Sequence, residues 1–170
     1  MDRDTLRAAQ APIKENYRQH PETSLMTLHA GGDLGDGVSC SVQTGRGLVE
    51  AGLHSATGGS GLQACSGDML LEALAACAGV TLSAVATSLG IPVSSGSVRI
   101  EGDLDFSGTL GVSSSAPVGF TDIRVSFDLV SSASEDEIAT LCRLTERYCV
   151  IFQTLAKPPS LDFAINQERP

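Results

Sequence analysis

Apolar and polar positions along this chain follow two periods, and the changeovers between them mark the elements. Three short segments have period-two character, Leu25 to His29, Val38 to Val42 and Leu48 to Leu53. They are separated by Gly31-Gly32, Gly35-Asp36-Gly37 and Gly45-Arg46-Gly47. Strand-length runs bounded by glycine turns predict a small antiparallel meander. Ahead of it the first twenty residues read as a short helical arm, with Pro12 at a first helical position and Pro21 stopping the run from Ile13 to His20.

The longest helical candidate runs from Asp68 to Leu89 and is closed by Gly90 and Pro92. Two strands follow, in which Val98, Ile100, Leu104 and Phe106, then Ile123, Val125, Phe127 and Leu129, alternate with polar residues. One face of each is therefore wet. Between them Ser107 to Thr121 is a Gly/Ser-rich loop. Ser134 and Glu137 form a capping-box pattern opening a helix with Ile138, Leu141, Leu144 and Tyr148. After Pro158-Pro159, Leu161, Phe163 and Ile165 alternate as a last strand. The order predicts an α+β fold.

No charged residue occurs between Ala73 and Val98. A membrane span is the rival reading, but Thr81, Ser83, Thr87, Ser88, Gly90 and Pro92 dilute the segment and no second span exists. A central helix buried on most sides is expected instead. Its alanines and Gly79 allow close approach, and three short strands supply little cover, so a second copy of the chain is expected to complete the core as a homodimer.

At 170 residues the chain is long enough to bury roughly 70% of its extended surface. It is read as one domain, residues 1–170, with an arm over 1–21 and a core over 22–170. Twenty acidic against eleven basic residues give a net charge of −9, which repels phosphate backbones and anionic lipid and argues against nucleic acid or membrane partners. Met1-Asp2-Arg3-Asp4 has neither the basic nor the apolar region of a signal peptide, so a cytoplasmic location is expected.

Cysteines stand at 40, 65, 77, 142 and 149. Their unequal spacing shows no disulfide framework or CxxC pair, and His20, His29 and His54 pair with none of them at zinc-site spacing, so no metal is expected. Thr57-Gly58-Gly59-Ser60-Gly61 lacks the lysine and preceding strand of a phosphate loop and reads as a connector.

Two segments carry a family resemblance. Ser66-Gly67-Asp68-Met69-Leu70-Leu71-Glu72-Ala73-Leu74-Ala75-Ala76-Cys77, continued by Val80-Thr81-Leu82, resembles the P-x-E-L-L-L-A-A-L-A-A-C helix of OsmC/Ohr proteins. Arg147-Tyr148-Cys149-Val150-Ile151-Phe152-Gln153-Thr154-Leu155 is similar to their C-P-V-S-x-x-L segment. The resemblance covers about residues 38 to 165. It implies an intertwined homodimer with paired central helices inside wrapped sheets and sites at the subunit interface. It also implies reduction of organic or fatty-acid hydroperoxides by a cysteine pair, regenerated by a small dithiol or a lipoylated protein, with no cofactor.

On that resemblance Cys77 attacks and Cys149 resolves. A thiolate cleaves the weak O–O bond, becomes a sulfenic acid, and condenses with a second thiol. Burial alone would raise the pKa of such a cysteine, so a positive group is needed. The resemblance assigns that role to an arginine on the meander, matched here by Arg46, held by an acidic residue near the start of the long helix, matched by Asp68. The chain departs from the pattern at Gly67, which takes the place of the hydroperoxidase glutamate, and at Ser66 and Val150, which replace the two signature prolines.

Cys40, Cys65 and Cys142 are read as small apolar residues, and Glu72 as a helix-face or ion-pair residue. Arg46 has a second reading as a solvated turn residue, and Asp68 as a favourable charge at the helix amino end. A non-catalytic module that holds an apolar ligand at the dimer interface, or senses redox state through its cysteines, is the alternative function.

Overall fold

The computed structural model describes residues 2–20, 32–34, 39–44, 47–111 and 113–168. Its first helix, α1, spans Arg3–Gln19. The Asp2 carboxylate caps it by accepting from the Thr5 amide at 2.7 Å, which starts the helix earlier than Pro12 would. Pro12 therefore lies inside the helix and not at its first turn, because a side-chain cap satisfies an otherwise orphaned amide at the true start.

Four strands make the first sheet: β1 (Gly32–Leu34), β2 (Ser39–Thr44), β3 (Gly47–Gly52) and β4 (Ala64–Cys65), in that order. β1, β2 and β3 are antiparallel neighbours, and β4 adds parallel to β3 through Ala51↔Ala64 and Gly52↔Cys65. The expected meander is thus present in β2 and β3, while the Leu25 to His29 segment lies outside the described residues. β4 is too short to leave a periodic signal. Between β3 and β4 a 3₁₀ turn over Ser55–Thr57 is capped by His54, whose ring stacks on Phe106 at 4.8 Å between centroids.

The central helix α2 spans Ser66–Leu89. It ends as its sequence directs: Gly90 takes a left-handed conformation at φ 74°, and the Ile91 amide donates to Ala86 O at 2.9 Å. That is the closing bond of a Schellman turn, with Ile91 buried against Ala86 as its apolar contact. The helix is long and apolar enough to cross a membrane by length and composition alone, yet it packs against a sheet and a helix.

That sheet is the antiparallel pair β5 (Val93–Leu104) and β6 (Phe120–Ser131). Phe106 does not extend β5; with Asp105 as its cap it opens a four-residue helix, α3 (Phe106–Thr109), within the expected loop. The inner face carries Val98, Ile100, Ile123, Val125 and Phe127 onto α2. On the outer face Arg124 makes a bidentate pair with Asp103, at 2.5 and 2.9 Å, and a further contact with Asp122 at 2.9 Å.

Helix α4 spans Glu135–Tyr148 and begins with the expected capping box: Ser134 and Glu137 bond reciprocally. A second short helix, α5 (Val150–Ala156), follows after Cys149. Within the single chain only one stripe of α2 is buried, Leu74, Ala78, Leu82 and Ala86, while Val80 is 71% exposed. Burial on most sides is therefore not reached, because β5, β6 and α4 cover one face. Nor does the expected last strand form within the chain. Residues 157–168 have no regular structure, and Leu161, Phe163 and Ile165 are each more than four-fifths exposed; among the described residues no strand pairs with their backbone.

Candidate active site

Cys149 occupies the break between two helices. Its amide donates to Thr145 O at 2.9 Å and closes α4, while its carbonyl accepts from the Gln153 amide at 2.9 Å and opens α5. Its own backbone is extended, at φ −71° and ψ 107°. Cys142 is exposed on α4, whereas Cys149 at its end is only 1% exposed.

Inward of Cys149 lies α2. Cys77, half-buried near its middle, packs into the same cluster as Cys149, Leu74 and Ala78, bordered by Ile151 and Phe152. The amides of Val150, Ile151 and Phe152 belong to the first turn of α5, where no carbonyl of that helix can accept them. Polar hydrogen is thus concentrated around two sulfurs in an otherwise apolar setting.

The electrostatics separate the two thiols. Burial pushes Cys77 up, but the Ile151 amide, the Cys149 thiol, the Val150 amide and the Thr81 hydroxyl outweigh it and hold Cys77 below the ordinary thiol range. Cys149 is raised, first by burial and then by the neighbouring Cys77 sulfur, against the opposing Phe152 and Ile151 amides. A thiolate at Cys77 with a protonated Cys149 donating to it accounts for both directions. Such a pair has one thiol ready to attack and one ready to condense.

Of the two other expected site residues, only Asp68 is described, and it is not gathered there. Arg46 lies outside the described residues. Asp68 is exposed in the first turn of α2; nine residues from Cys77, it lies about 13 Å along the axis and half a turn round. Gly67 faces Phe120: a Cβ on it would stand 3.4 Å from Phe120 Cζ. The same ring lies across Gly102, where a Cβ would come within 2.7 Å of it. Among the described residues, no group of three metal-ligating side chains occurs. Sequence reasoning did not single out Thr81, Phe120 or the α5 amides; of these only Thr81, one helical turn after Cys77, had a readable signal in its spacing.

A cavity of about 320 Å³ lies beside the pair, with Leu74, Phe120, Ile123, Phe152 and Leu155 as its apolar wall and Thr121 and Asp122 as its polar one. It shares Leu74 and Phe152 with the cysteine cluster. A larger groove of about 570 Å³ runs between the far end of α2 and the sheet, lined by Leu82, Ala86, Phe127 and Leu129 with Arg3 at its edge.

A long central helix packed on an antiparallel sheet is an arrangement shared with known proteins. The family model described as OsmC-like protein matches residues 59–164. The chain belongs to the OsmC-like family. Among solved structures, an OsmC-like protein from Mycoplasma pneumoniae is similar at TM-score 0.64 and 18% identity, covering 78% of this chain and 89% of its own. A Legionella pneumophila organic hydroperoxide resistance protein OsmC, described also as a predicted redox protein, gives TM-score 0.61 and 16% identity, covering 78% and 91%. An organic hydroperoxide resistance protein from Elizabethkingia anophelis gives TM-score 0.61 and 15% identity, covering 79% and 91%. At such identities the likeness is one of fold. No curated protein matches significantly.

Proposed function

We propose that the chain is a thiol peroxidase of the cytoplasm, reducing organic or fatty-acid hydroperoxides as a homodimer. The observation that carries this reading is the packing of Cys77 against Cys149 with their pKa values moved apart. The Cys77 thiolate attacks the distal peroxide oxygen, the O–O bond breaks, and the departing alkoxide takes a proton to leave as the alcohol. Cys77 becomes a sulfenic acid. Cys149 sulfur then attacks Cys77 sulfur, the hydroxyl leaves as water after taking the Cys149 proton, and a disulfide remains. A dithiol or lipoylated protein returns both thiols by exchange.

The cavity beside Leu74 and Phe152 suits the apolar part of such a substrate. Arg46 and Asp68 remain the proposed activating cation and its acidic partner. Dimerisation is supported by the exposed stripe of α2 around Ala73, Ala76 and Val80 and by the unpaired alternation of Leu161, Phe163 and Ile165. Turnover of cumene hydroperoxide with dihydrolipoamide tests the reading: wild type turns over, and Cys77→Ser does not. Equal consumption by both proteins would overturn it.

The groove bearing Arg3 favours a second reading, a module that binds an apolar ligand with an anionic end. Raised thermal stability on adding a fatty acid, without peroxide turnover, would support it.

A further inference from the structure

Helix α5 stands between two openings. Phe152, Leu155 and Ala156 border the cavity described above, whereas Val150, Gln153, Thr154 and Lys157 border a second pocket, of about 410 Å³. At helical spacing the two sets fall on opposite faces, and the two spaces have no bordering residue in common. Both adjoin the cysteine pair, the first through Leu74 and Phe152 and the second through Cys149 itself. Charge separates them further. Asp122 is in the polar wall of the first, while Arg147 and Lys157 border the second and no carboxylate does. Among the described residues neither cation pairs with a carboxylate; Arg147 lies over the Tyr148 ring, 5.5 Å from its centroid. Gln153 braces the wall, its Nε2 donating to Glu146 O at 3.0 Å. In a chain of net charge −9, two such cations beside a buried cysteine reverse the prevailing field and draw anions to that point.

We infer that the pocket bordered by Arg147, Cys149 and Lys157 admits the reductant, a small dithiol carrying a negative charge, to the Cys149 side of the oxidised pair. The inference rests on Cys77 and Cys149 being the redox centre of the function proposed above. The pocket has the size of a small-molecule site, and its cations favour an anionic thiol over a neutral one by an attraction that salt screens. One reductant thiolate, its proton left in solvent, attacks the Cys149 sulfur; the Cys77–Cys149 bond breaks and Cys77 leaves as a thiolate. The Ile151 and Val150 amides already favour that thiolate, and a sulfur of lower pKa leaves faster. The second reductant thiol then attacks the reductant sulfur held on Cys149, closes a ring disulfide and gives its proton to Cys149. Two electrons pass from the reductant to the pair. Peroxide and reductant thus reach the two cysteines from opposite faces of α5.

Dihydrolipoate and dihydrolipoamide test this, being the same dithiol with and without a carboxylate charge. The protein is oxidised with diamide, which joins thiols without peroxide, the excess is removed, and the rate of disulfide reduction is measured with each dithiol. Wild type is expected to react about fivefold faster with dihydrolipoate at low salt, the advantage shrinking as salt is raised. In the double variant Arg147→Gln, Lys157→Gln the ratio of the two rates should fall to about one, and a ratio cancels any general change in the disulfide's reactivity. The salt series in wild type needs no variant to fold. Mercaptoacetate, an anionic monothiol, should leave its adduct on Cys149 when the reaction is quenched early with N-ethylmaleimide and mapped by peptide mass. Equal rates in wild type, a ratio the double variant leaves unchanged, an adduct on Cys77, or a failure of diamide to join Cys77 to Cys149 would each overturn the inference. A pair that diamide joins and peroxide does not would count against the proposed peroxidase alone.

Discussion

Cys77 on α2 meets Cys149 at the point where α4 has ended and α5 has not yet begun. The junction does two things at once. It seats Cys149 on the buried side that Leu141 and Thr145 mark along α4, and it brings the amides of a new helix start, which have no acceptor within that helix, to the Cys77 sulfur. One residue of extended backbone thus supplies both the second thiol and part of what activates the first.

From this contact, one equivalent of organic hydroperoxide should join Cys77 to Cys149 and leave Cys65 and Cys142 reduced. Cys142 is exposed on the outer side of α4, and two helical turns of about 10 Å exceed the ~7 Å reach of a disulfide to Cys149. Peptide mass mapping after a single pulse checks the pairing. In Cys149→Ser the sulfenic acid at Cys77 should persist long enough for dimedone to label it; a bridge mapped to Cys65 or Cys142 would refute the assignment.

Val150→Pro isolates a single donor. Proline is tolerated at the first position of a helix, and the extended backbone of Cys149 is the conformation a following proline requires. The substitution removes the Val150 amide hydrogen and should raise the Cys77 labelling midpoint, whereas Val150→Ala should not. Because the thiolate is the reactive form, labelling accelerates as pH rises through the Cys77 pKa. A depressed pKa places the wild-type midpoint below that of an unperturbed cysteine in a short peptide; a wild-type midpoint at or above that of the peptide would contradict the electrostatics described.

Thr145 is 4% exposed, and its hydroxyl has no hydrogen-bond partner among the described residues. An orphaned buried hydroxyl costs roughly 1–3 kcal/mol. Thr145→Val keeps the shape and removes the polar atom, so it should hold or raise the unfolding temperature. A clear fall would show that the hydroxyl is bonded in solution.

Phe163→Asp should weaken the proposed dimer. The phenylalanine is 89% exposed in the single chain and makes no part of its buried core, so a charge there leaves α2, β5 and β6 folded while penalising burial against a second copy. Sedimentation at micromolar concentration should show a loss of the twofold mass, with far-UV circular dichroism preserved. Wild type that sediments as a monomer would remove the basis for the dimer itself.

Local signals carried the elements whose formation is a local matter. Gly90 ended α2 because a left-handed residue needs no Cβ, Ser134 and Glu137 opened α4 by bonding each other, and alternation in Val98–Leu104 and Ile123–Leu129 placed one face of β5 and β6 against the core. Cys77 and Cys149 were legible too, as parts of two separate signatures. Their meeting was not. It depends on where α4 breaks, and the run from Glu135 to Ala156 contains neither glycine nor proline to mark a break. Beyond the stop at Tyr148, Cys149 packs against Leu74 and Ala78 of α2, residues far from it in the chain. Tertiary packing likewise decided that Phe120 would close the space beside Gly67. Leu161, Phe163 and Ile165 are the converse case: their alternation is written in the sequence, but a strand needs a partner for its backbone, and among the described residues none pairs with them.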